Sequence, residues 1–139
     1  MIKGISHLTF SVSSLDISVD FYRQVFGAEL LFRDERTAYF DLAGLWLALN
    51  MQESIPRTEI RHSYTHVAFT IDDADIAEMT ARLQRLGVAF LPSRPRGDGE
   101  GQSLYFADPD GHLLEVHTGS LKTRLEGYHS HEIVSTASE

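Results

Sequence analysis

The sequence predicts an α+β fold of two paired β-α-β-β-β modules, because three features of its first half recur in the second. Residues 6–12 and 65–71 alternate apolar and polar side chains, and each carries a histidine, His7 or His66, at its second position. Residues 15–27 and 75–87 combine apolar side chains at helical spacing with a terminal glycine. Tyr-Phe recurs at positions 39–40 and 105–106. The shared order of these features indicates an internal duplication.

The spacing of the repeat identifies each element in turn. Alternation with period two predicts that the histidine-bearing segments are strands, and each strand leads into a helix. The offset between the halves is 59 residues at the histidines (66 − 7) and 60 at the terminal glycines, Gly27 and Gly87. It rises to 67 at Gly44 and Gly111 (111 − 44), so the inserted residues fall in the glycine-rich loop 94–102.

The last predicted strand of the second module places a carboxylate in an apolar run. Glu115 lies within residues 113–117, where an unpaired charge is costly. An offset of 67 makes Ala48 its counterpart (115 − 67 = 48), so the fourth equivalent position is no ligand. Two histidines and one carboxylate on corresponding strands predict a three-ligand metal site with open positions, typical of catalysis. A salt bridge from an arginine to Glu115 is the alternative interpretation.

Composition sets the class of protein. A chain of 139 residues, 42% of them hydrophobic, is long enough for one domain with a core. We expect module one at about 1–52, a linker at 53–62, module two at 63–118, and a C-terminal helix and tail at 119–139.

The net charge of −8 argues against nucleic acid and anionic membranes as partners. Short apolar runs and the absence of a signal segment favour a cytoplasmic protein. Because cysteine is absent, any thiol must come from a co-substrate.

These features resemble the vicinal oxygen chelate (glyoxalase/bleomycin-resistance/dioxygenase) superfamily, and within it the fosfomycin-resistance metallothiol transferases of the FosB type. The resemblance covers residues 2–129. It rests on TAYF at 37–40, AGLW at 43–46, IPR at 55–57, SYTH at 63–66, SLYF at 103–106 and DPDGH at 108–112. It implies mixed sheets curled around a divalent metal, Mg²⁺ or Mn²⁺, held by His7, His66 and Glu115. It also implies a homodimer in which His7 comes from the partner chain.

The resemblance further implies an enzyme that opens the epoxide ring of fosfomycin by adding a thiol. A site for this small phosphonate needs a Lewis acid at the epoxide oxygen, with cations and hydroxyls at the phosphonate. The implied substrate-binding residues are Trp46, Tyr64, Arg94, Tyr105 and Arg124. The implied catalytic residues are Thr9, whose hydroxyl points into the site, and Tyr39, where the thiol approaches.

Three alternatives stay open at the level of sequence. Many FosB-type enzymes carry cysteine at position 9, whereas Thr9 matches the glutathione-using FosA type. We favour bacillithiol because of the IPR motif and the long 94–102 loop, with L-cysteine or glutathione as other donors. In FosX-type hydrolases a glutamate activates water, and Glu35 is the nearest carboxylate, expected on the strand face of Thr37. Non-catalytic drug-binding proteins share the fold, but they normally lack the metal ligands.

Each predicted site residue also has a purely structural interpretation. Half-buried strand aromatics occur without any ligand, and Arg124 has a structural alternative as a cap of the last helix. Histidines outside the repeat, including His117, are expected to be hydrogen-bonded core or surface residues. The polar segment after His129 is expected to be a mobile tail.

Overall fold

The computed structural model describes residues 1–97 and 99–136, the last six by their backbone. The first module consists of β1 (His7–Val12), α1 (Leu15–Phe26), β2 (Glu29–Arg33), β3 (Thr37–Leu42) and β4 (Leu45–Met51). A short helix, α2 (Thr58–His62), follows it. The second module consists of β5 (His66–Thr70), a 3-10 turn (Asp73–Asp75), α3 (Ile76–Arg85), β6 (Phe90–Leu91), β7 (Ser103–Ala107) and β8 (Leu113–His117). Helix α4 (Leu121–Thr136) follows the second module.

The two modules have the same sheet topology, which confirms the predicted α+β duplication. The strand orders are β1-β4-β3-β2 and β5-β8-β7-β6. In each sheet the first strand is parallel to the last one, and the remaining pairs are antiparallel. Thr9 pairs with Ala48 in one sheet, as Ala68 pairs with Glu115 in the other. Ala48 is therefore the structural counterpart of Glu115.

Helix α1 forms because its ends are capped and one face is apolar. The Ser14 side chain accepts a hydrogen bond from the Ile17 backbone N–H, and Gly27 ends the helix at φ 66°. The same left-handed conformation recurs at Gly87, with φ 70°, after the second-module helix. The inner face of α1 buries Leu15, Val19, Tyr22 and Val25.

One hydrophobic core joins the two modules. Phe40 and Leu47 of the first sheet and Phe106 and Leu114 of the second are fully buried in the same cluster as α1. The Phe26 ring of α1 lies 4.9 Å from the Phe69 ring of β5, centroid to centroid. Because side chains alternate along a strand, the opposite face of each sheet is left for polar and aromatic residues.

A partly buried arginine fixes the junction between the modules. Arg57 precedes α2, and its Nε lies 3.2 Å from the Asp110 carboxylate. The same guanidinium donates to the Ser11 carbonyl oxygen, 2.9 Å away, at the end of β1. The His112 ring also donates to that oxygen, over 2.8 Å. The turn before β8 is thus held against the end of β1.

The C-terminal segment differs from the expectation. Helix α4 continues to Thr136, so residues 130–136 are helical where the sequence predicts a tail, and residues 137–139 lie outside the described residues. The Ser120 hydroxyl accepts from the Thr123 backbone N–H at the start of α4. No helix in the described ranges is long and apolar enough to cross a membrane.

Candidate functional site

All predicted site residues except Arg94 fall into two groups, one beside the face of each sheet that points away from the core. The first half-site consists of His7, Thr9, Tyr39 and Trp46. Strand register places all four on one face, because His7 pairs with Trp46 while Thr9 and Tyr39 both pair with Ala48. The second half-site consists of five predicted residues, Tyr64, His66, Tyr105, Glu115 and Arg124, together with Arg96, which was not predicted. Within one chain the predicted site residues therefore lie on two separate sheets.

Glu115 and His66 meet at the centre of the second half-site. Glu115 is buried, and its Oε2 lies 3.1 Å from His66 Nε2. His66 Nδ1 is 2.7 Å from the Tyr64 carbonyl oxygen, which only accepts, so Nδ1 carries the proton. In the neutral ring Nε2 then directs a lone pair toward the carboxylate. Such an arrangement is favourable only when a cation or a proton lies between the two atoms.

The donor set fits a hard divalent cation. Neighbouring ligands of an octahedral ion with bonds of about 2.1 Å lie roughly 3 Å apart, close to the separation of His66 Nε2 and Glu115 Oε2. Imidazole and carboxylate are ligands that Mn²⁺ and Mg²⁺ accept. The structure thus brings two of the three predicted ligands together.

His7, the third predicted ligand, lies apart from them on β1. Its Nδ1 is 3.0 Å from the Ser6 hydroxyl, and its ring centroid is 4.5 Å from that of Trp46. Among the described residues, no group of three histidine, cysteine, aspartate or glutamate side chains is arranged to hold a metal. That separation is the one expected if His7 acts in the site of a second chain.

Arg96 is the site residue that sequence reasoning missed. Its Nη2 donates to Glu115 Oε1 over 3.2 Å and to the Tyr105 hydroxyl over 3.0 Å. Only 11% of the side chain is exposed, and within the described part of the chain Nε and Nη1 are buried without a hydrogen-bond partner. Unpaired buried donors are costly, so they indicate a place for an anion. The alternative interpretation of Glu115, a salt bridge from an arginine, is therefore present in the structure, and its role as a metal ligand stays a prediction.

Arg94, which was predicted in this role, lies in the same loop but contacts a different carboxylate. Its Nη2 donates to Glu100 over 2.8 Å, and 42% of its side chain is exposed. The Arg94 hydrogen bond, with a second from the Gly97 backbone N–H, lowers the pKa of Glu100 to about 2. Glu100 thus anchors the loop from which Arg96 reaches inward. Phosphonate binding by Arg94 stays a prediction.

Two tyrosines and a second arginine complete this half-site. The Tyr64 and Tyr105 hydroxyl oxygens lie 3.4 Å apart. Burial raises the pKa of Tyr105 to about 12, and the hydrogen bond to Tyr64 and the charge of Glu115 add to the rise. The Tyr105 hydroxyl therefore stays protonated and is available as a donor. Arg124 lies 3.4 Å from His117, Nη2 to Nε2, and brings a second positive charge.

The first half-site is aromatic and open. The Tyr39 and Trp46 rings meet edge to face with centroids 5.3 Å apart, and Trp46 is 42% exposed. A cavity of about 270 Å³ lies against them and is also lined by Leu31. Thr9 is exposed on the adjoining strand. This surface suits the apolar part of a small ligand more than a charged one.

Glu35 does not occupy the position expected of a general base. It lies in the exposed turn between β2 and β3, so the expectation that it shares a strand face with Thr37 is wrong. The Asp34 carboxylate accepts from the backbone N–H groups of Arg36 and Thr37, and this Asx turn holds residue 35 outside the strand. The Thr37 hydroxyl instead donates to Asn50 on the neighbouring strand.

Comparison with known proteins finds one superfamily and, among its members, similar FosB proteins. Residues 4–116 match the model of the Glyoxalase/Bleomycin resistance protein/Dioxygenase superfamily. The chain is 53% identical over 129 residues to metallothiol transferase FosB of Shouchella clausii, covering 92% of this chain and 88% of the relative. FosB of Staphylococcus epidermidis is 51% identical over 128 residues, which are 92% of each chain.

Solved structures show the same architecture. The fosfomycin resistance protein FosX of Listeria monocytogenes, in complex with Mn(II) and sulfate, superposes with a TM-score of 0.84 at 40% identity. The match covers 93% of this chain and 100% of FosX. A variant of the same FosX, with the same score and coverage, holds Mn(II) and 1S,2S-dihydroxypropylphosphonic acid.

Proposed function

Because the chain belongs to the Glyoxalase/Bleomycin resistance protein/Dioxygenase superfamily, we propose that it is a metal-dependent transferase that adds a thiol to fosfomycin and opens the epoxide ring. The observation that carries this proposal is that Glu115 pairs with His66 on one side and with Arg96 on the other. Arg96 also has two buried donor nitrogens, Nε and Nη1, that have no partner among the described residues. Fosfomycin joins an epoxide to a phosphonate, so its two functional groups match these adjacent features. Identity of about half to FosB relatives supports the transferase class.

The metal in this proposal is Mg²⁺ or Mn²⁺, held by His66 and Glu115 of one chain and His7 of a second copy. When bound, it supplies Lewis-acid stabilisation of the charge that develops on the epoxide oxygen. The FosX neighbour that contains Mn(II) supports a divalent ion of this kind. His66 is oriented for this role by its bond to the Tyr64 carbonyl, which leaves Nε2 as the ligand atom.

The phosphonate is bound, in our proposal, by the positive side of the second half-site. Arg96 offers two buried donor nitrogens, Arg124 lies nearby, and the hydroxyls of Tyr64 and Tyr105 complete the set. The thiolate sulfur of the co-substrate forms a bond to an epoxide carbon. The carbon–oxygen bond breaks on the opposite side, and the released oxygen takes up a proton. No covalent bond to the enzyme is needed.

The site is completed by a homodimer in this account. His7 lies on β1 and His66 on β5, and these are the outer strands of their sheets. Pairing two chains by two-fold symmetry would bring each first half-site to the partner's second half-site, with Thr9, Tyr39 and Trp46 facing the thiol side. A cytoplasmic location belongs to the proposal, because low-molecular-weight thiols are kept reduced there.

Bacillithiol is the proposed donor, with L-cysteine and glutathione as alternatives. The test is mass spectrometry of fosfomycin incubated with Mn²⁺-loaded protein and each thiol, and with no thiol. We expect an adduct of fosfomycin and bacillithiol that requires the metal. A glutathione adduct in its place would make Thr9 the better guide to the donor. A diol formed without thiol would overturn the transferase assignment.

Hydration is the second candidate, since a FosX neighbour holds a dihydroxypropylphosphonic acid. The exposed turn position of Glu35 argues against it, because that carboxylate is not on the site face. Glu35→Gln serves as the control in the same assay. We expect it to form thiol adduct at the rate of the unmodified protein, whereas a hydrolase that used Glu35 as its base would lose product.

A further inference from the structure

His117 ends β8, two residues after Glu115, and therefore points to the same side of the sheet. Its Nδ1 lies 2.7 Å from the Ser103 hydroxyl, and its Nε2 lies 3.4 Å from Arg124 Nη2. Ser103 in turn lies 2.5 Å from Glu115 Oε1. A continuous hydrogen-bonded chain thus runs from Arg124 to Glu115 through His117 and Ser103.

The direction of each bond follows from chemistry. A carboxylate only accepts, so the single Ser103 proton is donated to Glu115. The serine oxygen must then accept from His117 Nδ1, which places the imidazole proton on that nitrogen. Arg124 only donates, and the remaining lone pair on His117 Nε2 accepts from it. Both ends of the chain therefore require the same tautomer of His117.

The surrounding backbone holds the ring in this position. A Cβ atom added at Gly119 would lie 2.7 Å from His117 Nε2 and 2.9 Å from the Glu100 carbonyl oxygen, so only glycine fits there. His117 is partly buried between β7 and the start of α4. The ring therefore has little freedom to leave the chain of bonds.

We propose that His117 is a positioning residue that couples the metal ligand Glu115 to the anion-binding Arg124. Through Ser103 it holds Glu115 Oε1, so that Oε2 stays directed at His66. Through Nε2 it holds the Arg124 guanidinium beside the same site. This inference rests on the proposed function, because Arg124 is assigned there to the phosphonate. It predicts that the hydrogen bond from His117 to Ser103 and the hydrogen bond from Arg124 to His117 can be removed separately.

The substitutions His117→Asn and His117→Gln each remove one of these two hydrogen bonds and keep the other. The Asn amide places a donor near the Nδ1 position and keeps the bond to Ser103, whereas the Gln amide places an acceptor near the Nε2 position and keeps the bond to Arg124. We expect His117→Gln to weaken Mn²⁺ binding roughly 10-fold with little change in fosfomycin binding. We expect His117→Asn to weaken fosfomycin binding roughly 10-fold with Mn²⁺ binding nearly unchanged.

Mn²⁺ affinity is measured by electron paramagnetic resonance titration, and fosfomycin affinity by calorimetry on Mn²⁺-loaded protein without thiol. Ser103→Ala removes the link to Glu115 from its other end and should match His117→Gln in the Mn²⁺ titration. Substitutions of the exposed His62 by the same two residues are the controls. Equal losses in both measurements, or no loss in either, would overturn the coupling.

The Mn²⁺ titration keeps the inference distinct from the proposed function. If the unmodified protein binds Mn²⁺ but no fosfomycin, the proposed function fails, and the Mn²⁺ titrations of His117→Gln and Ser103→Ala still decide whether this chain of bonds positions Glu115. A loss in both variants supports the inference, and wild-type affinity in both contradicts it.

Discussion

Replacing Glu115 by glutamine is expected to abolish measurable Mn²⁺ binding and to reduce thiol transfer by at least about 10³-fold, because a metal supplies several kcal/mol of charge stabilisation and each 1.36 kcal/mol is tenfold in rate. The amide keeps the shape of the side chain but removes its negative charge. It also leaves Arg96 without its buried ionic partner. Calorimetric Mn²⁺ titration and kcat/KM for fosfomycin measure the two losses.

Glu100→Gln is the matched control for this substitution. Glu100 is likewise buried and paired with an arginine, but its partner is Arg94 in the loop and not a predicted metal ligand. We expect Glu100→Gln to keep wild-type Mn²⁺ affinity. If Glu115→Gln also kept it, Glu115 would be a partner of Arg96 only, and the metal assignment would be wrong.

Arg96→Gln is expected to raise KM for fosfomycin by roughly 10- to 100-fold, as expected for the loss of charge-assisted hydrogen bonds. The reason is that Arg96 has buried N–H donors without a partner among the described residues. An anion bound there would form strong hydrogen bonds with them, and the variant would lose these bonds. Steady-state kinetics at saturating thiol give KM, and a Mn²⁺ titration of the same variant separates this effect from any change at Glu115.

Arg94→Gln provides the comparison, because the two arginines are two residues apart in one loop. We expect it to raise KM by less than about 5-fold, since its guanidinium is half exposed and already bound to Glu100. A larger effect for Arg94→Gln than for Arg96→Gln would restore the prediction made from the sequence, with Arg94 at the phosphonate.

The duplicated fold could be predicted because the sequence signals that specify its strands and helices are local. Three signals align the two halves: strand alternation, the helix ends at Gly27 and Gly87, and the growing offset. This alignment makes Ala48 and Glu115 equivalent positions, as the strand pairing of the structure shows. Each signal depends on a few neighbouring residues. The proximity of His66 and Glu115 could be predicted from the same alignment, because it places Glu115 on the strand beside that of His66.

The errors arose where tertiary or capping contacts decide. Arg94 and Arg96 are equivalent in sequence terms, but Arg94 pairs with Glu100 within the loop, whereas Arg96 turns inward to Glu115. The expectation for Glu35 is wrong because the Asp34 side chain accepts from the Thr37 backbone N–H and closes a turn before the strand begins. The stretch after His129 is too polar for its pattern to indicate a helix, yet the backbone of α4 continues through it to Thr136.

The division of the site into two halves could not be predicted by spacing alone. His7 and His66 are equivalent in the repeat, and nothing local shows whether their faces converge. The shared core decides the outcome, because packing Phe26 against Phe69 turns the ligand-bearing face of each sheet outward. His7 therefore lies apart from His66 and Glu115 within one chain, as far as the described residues show, and its supply by a second chain is part of our proposal.

Subunit complementation tests this central claim most directly. His7→Ala and Glu115→Gln chains, each with its own affinity tag, are co-expressed and the heterodimers are compared with both parental homodimers in the metal-dependent adduct assay. In a two-fold dimer one of the two sites of each heterodimer regains His7, His66 and Glu115. We predict that purified heterodimers show about half the wild-type activity while both homodimers are inactive. Heterodimers as inactive as the parents would show that each site draws all its ligands from one chain, and would contradict the account.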